Sequence, residues 1–303
     1  MNKLLKVVLV LFLVFTLTGC TKQLTNDKGK AVSYSGKALT LNILCQPTNK
    51  NVIAKYKENK VDIEALPKCE NFEISDGGYE GIWTSFFIKP LAWLTLKLTA
   101  LFGSVGLAII TLSLAIRMLI YPITQKTATQ SQNMKKAQPE LDKLEKKYKT
   151  RTDRDSTMLK SQEMMAIYKE YNISPMSGCL FGLIQLPIFF AFLEAINRVP
   201  AIFEGKFLSL DLGTTTWSGL TNGQLGYIVL IILIVGATYL SLKNSATTGN
   251  SEQQKQMQMM TKFMLIFISV ISFTLPTAIA IYWITSSLIT IIQNKLVKRS
   301  AEK

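Results

Sequence analysis

The chain has 303 residues, of which 48% are hydrophobic, with a mean hydropathy of +0.23 and a formal net charge of +14. The apolar residues are clustered, which assigns the positive charge to the flanks of membrane spans rather than to a nucleic-acid-binding surface. There is no histidine, and the four cysteines form no CxxC pair. That removes Ser-His and Cys-His nucleophiles and argues against structural zinc, and no G-x-x-x-x-G-K-S/T loop is present. Enzymes built on carboxylates or serine alone pass this filter, but no candidate pair stands out, so we expect no catalytic residue, no metal and no diffusible cofactor.

Residues 1–19 read as a lipoprotein signal. Lys3 and Lys6 precede the apolar stretch Val7–Leu17, and Leu17-Thr18-Gly19-Cys20 follows. A basic region, a short apolar region and small residues before a cleavage point describe a secretory signal. The cysteine resembles a lipobox, so Cys20 is expected to be the mature N-terminus, carrying S-diacylglycerol and an N-acyl chain. An uncleaved anchor is the alternative. Residues 20–82 are polar and read as an extracytoplasmic, lipid-anchored tether or a small β-leaning appendage. Cys45 and Cys69 lie in this exported segment, where disulfides persist. Paired, they close a loop of about 25 residues, worth about 3 kcal/mol; the alternative is two unpaired thiols.

Residues 83–102 carry Trp83, Phe86, Phe87, Leu91, Leu94, Leu98 and Leu101 near helical spacing, interrupted by Lys89 and Lys97. An amphipathic helix in the interface plane explains this better than a span. The first span is 103–123, and Arg117 lies inside it. A cation at membrane depth costs about 2.5–3.5 kcal/mol even on the lenient insertion scale, and usually faces a bundle interior or a wet cavity. Either Arg117 marks a polar chamber or it snorkels toward the Tyr121–Gln125 end.

Residues 124–175 are charged and read as a helical hairpin. Met134, Ala137, Leu141, Leu144 and Tyr148 make a narrow apolar seam, Thr150–Ser156 a polar break, and Leu159, Met164, Ile167, Tyr168 and Tyr171 a second stripe. The remaining spans are 176–196, 223–242, 257–275 and 277–292, with an outer loop at 197–222, a second cytosolic loop at 243–256 and a basic tail at 293–303. The run from Met257 to Ile292 is too long for one span, and Pro276 divides it. Lys126–Lys169 holds eleven Lys or Arg, whereas 197–222 holds only Arg198 and Lys206. The positive-inside rule therefore puts the hairpin, the second loop and the tail in the cytosol and the N-terminus outside.

These residues carry a resemblance. Ile116-Arg117-Met118-Leu119-Ile120-Tyr121-Pro122, the basic hairpin, Gly182-Leu183-Ile184-Gln185-Leu186-Pro187-Ile188, Leu275-Pro276 and Ile281-Tyr282-Trp283 together resemble the YidC/Oxa/Alb family of membrane protein insertases. The lipobox resembles the branch found in single-membrane bacteria. The resemblance implies an all-α membrane protein with five transmembrane helices and a hydrophilic groove open to the cytosol and closed outside. It places Arg117, Gln185, Ser241, Tyr282 and Trp283 at the substrate groove, with Ser241 standing where relatives often carry glutamine. It implies nascent membrane proteins as clients, membrane lipids as surroundings, and the Sec translocon and the ribosome as candidate partners, in the bacterial cell membrane. Two other readings remain at this point: a small-solute transporter or channel with an anion site at Arg117, and a lipoprotein assembly factor without insertase activity.

Overall fold

The computed structural model describes residues 21–151, 153–174, 177–245 and 252–301. The signal segment and Cys20 lie outside the described residues. The chain divides into two compact units. One holds the residues up to Ser113 with Pro187–Ile231 and Ser272–Trp283; the other holds Leu114–Leu186, Ile232–Ile271 and Ile284–Lys303.

In the first unit, the polar segment is packed rather than extended. Strand β1 (Ser33–Tyr34) pairs antiparallel with β2 (Lys37–Ala38), and helix α1 spans Lys50–Glu58. Asn49 starts α1 because its side chain accepts the backbone N–H of Asn51 at 2.9 Å, satisfying a donor that the first turn leaves open. Leu24, Leu39, Ile43, Val52, Tyr56, Ile63 and Phe203 form one buried cluster, so a residue from the 197–222 loop completes this core. Cys45 and Cys69 are joined as a disulfide, with Cα atoms 4.9 Å apart.

Helix α2 (Gly81–Phe102) contains a π-helical turn at Thr84–Ile88 and ends at Gly103, whose φ of +63° suits a residue without a Cβ. Helix α3 (Val105–Leu119) and α4 (Tyr121–Tyr148) are separated by a bend of 67°. The apolar run 103–123 thus divides at Ile120. Pro122 sits in the first turn of α4, where its missing N–H costs nothing and its fixed φ starts a new helix.

In the second unit, α4 packs on α5 (Arg154–Glu170) through Met134, Ala137, Leu141, Tyr168 and Ile173, the seam legible in the sequence. Asp153 caps α5 by accepting the Ser156 N–H at 2.8 Å. Of the hairpin's methionines, Met134 is buried in the seam, whereas Met158 and Met165 are exposed.

The remaining elements are α6 (Ser177–Arg198), α7 (Pro200–Phe203), the hairpin β3 (Lys206–Phe207) with β4 (Leu210–Asp211), α8 (Thr216–Thr221), α9 (Gly226–Ser245), α10 (Glu252–Ile271) and α11 (Thr277–Ala301). The chain breaks before Pro276 and is tied there, since the Thr277 N–H donates to the Thr214 carbonyl at 3.0 Å and Ala278 to Leu212 at 3.0 Å. Helix α11 continues through the basic tail instead of ending at Ile292. Among the described residues, Gly81–Phe102 and Gly226–Lys243 are long and apolar enough to cross a membrane, and the bent pair α3–α4 makes a third if counted as one span.

Candidate functional site

Arg117 is 5% exposed near the C-terminal end of α3. Its Nε donates to Ser286 Oγ at 2.8 Å, and one terminal nitrogen donates to Gln185 Oε1 at 2.8 Å and also to Ser286 Oγ. Three helices, α3, α6 and α11, each supply one member of this group. A serine oxygen has two lone pairs, so Ser286 can accept both guanidinium N–H groups. Thr290, one turn later, returns its hydroxyl to the Ser286 carbonyl at 2.9 Å, satisfying itself within α11. Ser286, Ser287 and Thr290 are all buried, giving α11 polar residues within its apolar stretch before the basic tail. A buried cation without acceptors would be costly, and the oxygens of Ser286 and Gln185 are what make the position tenable.

Of the five groove residues expected from the sequence, the structure joins Arg117 and Gln185 directly. Ser241 stands half-buried on α9, in the unit that holds Arg117. In the first unit, Tyr282 is buried and stacks on Phe192 with centroids 4.4 Å apart, while Trp283 meets Phe189 edge-on at 5.4 Å.

The sequence reading missed two features. Ser286 is one; the Ser286-Ser287 pair with Thr290 inside an apolar run was its signal. The other is a charged cluster in the first unit. Arg198 donates to Glu80 Oε2 at 2.6 Å, to Thr84 Oγ1 at 3.2 Å and to the Asn42 carbonyl at 2.7 Å, and pairs with Glu194 at 3.5 Å. Glu194 also accepts the Trp83 indole N–H at 2.9 Å. Fully buried Lys89 pairs with Glu80 at 3.1 Å and donates to the Asp76 and Gly78 carbonyls, both at 2.6 Å. Burial pushes the Glu80 carboxyl up, but hydrogen bonds and charge from Arg198 and Lys89 outweigh it and hold it below the usual carboxylate range. The sequence signal was an acid and a base at i, i+4 where the apolar run ends. Among the described residues, no group of three or more His, Cys, Asp or Glu could hold a metal ion.

Residues 97–303 match the model of the 60Kd inner membrane protein family. The chain is 33% identical over 226 residues to the membrane protein insertase YidC of Oceanobacillus iheyensis, covering 73% of this chain and 85% of that one. This chain belongs to the YidC/Oxa/Alb family. Two further members of the family are the YidC of Alkalihalophilus pseudofirmus, 36% identical over 71% of this chain and 81% of its own, and MisCA of Bacillus subtilis, 35% identical over 71% and 79%. The fold is similar to that of an active YidC insertase whose crystal structure resolves its first transmembrane domain, with a TM-score of 0.53 and 26% identity over 80% of this chain. This chain spans about half the length of that solved protein, 51%. The family match includes every groove candidate but begins after the disulfide-bonded segment and most of α2.

Proposed function

We propose that this protein is a bacterial membrane protein insertase that handles nascent membrane proteins through a polar groove centred on Arg117. The observation that carries this reading is the Arg117–Ser286–Gln185 group, a buried guanidinium built into apolar helices of a chain related to insertases. The groove is the cytosol-open chamber of a five-span bundle, with Ser241 contributing to its wall. A client must move a polar segment across hydrocarbon, and a wet chamber shortens the apolar path. A guanidinium and a carboxylate about 4 Å apart at an effective dielectric of about 20 attract by about 4 kcal/mol, enough to capture an acidic tail reversibly. The client's apolar helix then partitions into lipid and drives release, so no nucleotide hydrolysis by this chain is required.

The segment 73–80 supports placing α2 in the interface plane. Glu73 pairs with Lys97 at 3.1 Å and accepts the Trp93 indole N–H at 2.9 Å, while Asp76, Gly78 and Glu80 hold Lys89. A polar chain therefore lies along eight residues of α2, about 12 Å at 1.5 Å per residue. That is the environment of a helix along the outer surface. The hairpin α4–α5 receives clients on the cytosolic side, with exposed Met158 and Met165 as adaptable contacts. Cys20 carries the lipid and stands outside, the C-terminus lies in the cytosol, and the Sec translocon and ribosome are the partners to test first.

The test is reconstitution into liposomes with protease protection of a newly made single-span client bearing an acidic outer tail. Protection above empty liposomes, lowered at least ten-fold by Arg117→Ala and much less for a neutral tail, is expected from loss of one close charge pair. Equal loss for both tails would make Arg117 structural. No gain over empty liposomes, with active controls, would favour the transporter or assembly-factor reading.

A further inference from the structure

Strands β3 and β4 leave Leu208 and Ser209 as the tip of a two-residue hairpin. Leu208 is 86% exposed and has a φ of +53°. A two-residue tip with positive φ at its first central residue favours glycine there, because positive φ strains residues with a Cβ. A non-glycine held there costs about 1–3 kcal/mol, and persists where the surroundings over-determine it. In water this leucine is disfavoured twice, by its backbone and by its exposed apolar surface.

The hairpin's seating offers a reason. The Phe207 ring lies against Gly106 so closely that a Cβ there would overlap it, which fixes β3 on the first turn of α3. Leu210 lies against Gly226, where an added Cβ would stand 3.2 Å from its Cδ2, which fixes β4 on the first turn of α9. Helix α9 carries a candidate span whose exposed face starts immediately, with Ile228, Val229, Ile232 and Leu233 open and Leu225 exposed just before it. Leu210, two residues after Leu208, is the hairpin residue seated at the start of that helix, so the exposed leucine stands on a hairpin anchored where the span begins. At the hairpin's base stands exposed Lys206, 3.2 Å from Asp211. An apolar tip above an exposed lysine, held by a half-exposed aspartate and free to turn its ammonium toward a phosphate, matches the boundary between acyl chains and lipid headgroups.

We propose that the Lys206–Asp211 hairpin is a lipid-contacting finger, with Leu208 entering the acyl region beside the first turn of α9 and Lys206 at the phosphate level of the same leaflet. The occupant is glycerophospholipid. The finger would fix the depth at which α3, the helix carrying Arg117, begins. It rests on the assignment of Gly226–Lys243 as a membrane span.

The test places a photoreactive benzoylphenylalanine at position 208 in the full-length protein, reconstituted in phosphatidylglycerol and phosphatidylethanolamine vesicles. Position 229 on α9 and position 58 at the end of α1 serve as the lipid-facing and water-facing references, and adducts are identified by mass spectrometry. The expected result is lipid adducts at 208 within about three-fold of those at 229 and about ten-fold above those at 58, since insertion brings the tip into continuous acyl contact. Lipid adducts at 229 but none at 208, or adducts at 208 to a second copy or to another protein, would overturn the finger. Failure at 229 as well would overturn the span assignment and the finger with it.

Discussion

Two arginines in this protein are almost equally buried and are held in opposite ways. Arg198, 1% exposed, is gripped by the carboxylates of Glu80 and Glu194 and by the Asn42 carbonyl. Arg117, 5% exposed, takes hydrogen bonds to a serine hydroxyl and a glutamine amide. Carboxylates bind a guanidinium strongly and leave little field for anything else, which makes Arg198 a fastener between α6, α2 and the disulfide-bonded segment. A hydroxyl and an amide orient the guanidinium while remaining exchangeable for a stronger anionic acceptor. Burial alone therefore does not distinguish a cation fixed by carboxylates from one that hydrogen-bonds a hydroxyl and an amide; the chemistry of the partner does.

The largest effect that would sharpen this contrast is Arg198→Ala. It strands Glu80 and Glu194, and breaking a buried pair costs about 3–5 kcal/mol, here toward the lower end because Glu80 is one-third exposed. Denaturation in nanodiscs should report that loss, together with faster proteolysis of residues 21–80. Full stability in this variant would break the comparison. Ser286→Ala comes next. It removes the acceptor of two guanidinium N–H groups and should lower insertion of acidic-tailed clients about three- to ten-fold, as loss of a charged hydrogen bond implies. Ser286→Thr should restore most of it, and an unchanged rate in the alanine variant would show that Arg117 needs no fixed orientation.

A third buried cation gives a pH test. Lys37 is 6% exposed, its Nζ lies 3.9 Å from the Phe203 ring centroid, and it has no hydrogen-bond partner among the described residues. Burial pushes its pKa down to about 7, from the usual 10.5. Between those values the unfolded chain binds more protons than the folded one, so stability rises with pH from about 7 to about 10.5. The protection factors of residues 37–43, taken relative to the base-catalysed intrinsic exchange at each pH, should rise from pH 7 to pH 9, and Lys37→Met should flatten that dependence. A persistent slope in the methionine variant would assign it elsewhere. The smallest effect is expected at the hairpin's Lys147–Glu163 pair, 2.6 Å long and solvent-exposed. Solvent screens such pairs, and Glu163→Gln should leave the unfolding midpoint unchanged within error.

Much of this was legible along the chain. Arg117 stood out because a cation interrupts an apolar run, and the seam of the α4–α5 hairpin followed from its three-four spacing. Pro276 marked a chain break because proline cannot continue a helix. Ser286 was less visible, since a serine among apolar residues is compatible with lipid, packing or a polar contact. The bend at Ile120 was harder still: Pro122 starts one helix as readily as it ends another, so composition left its boundary three residues away.

By itself the sequence determined the clustering of apolar residues, the charge asymmetry and the α4–α5 seam, which depend on local composition and periodicity that the chain carries residue by residue, and its motifs carried the resemblance to the family. The tertiary structure alone decided which acceptors hold each buried cation, how Phe203 completes the core of a segment more than 130 residues earlier, and that Lys89 is buried in a charged cluster rather than facing water. Those outcomes depend on which distant groups are brought within about 3 Å, the reach of a hydrogen bond, and no local pattern encodes that distance.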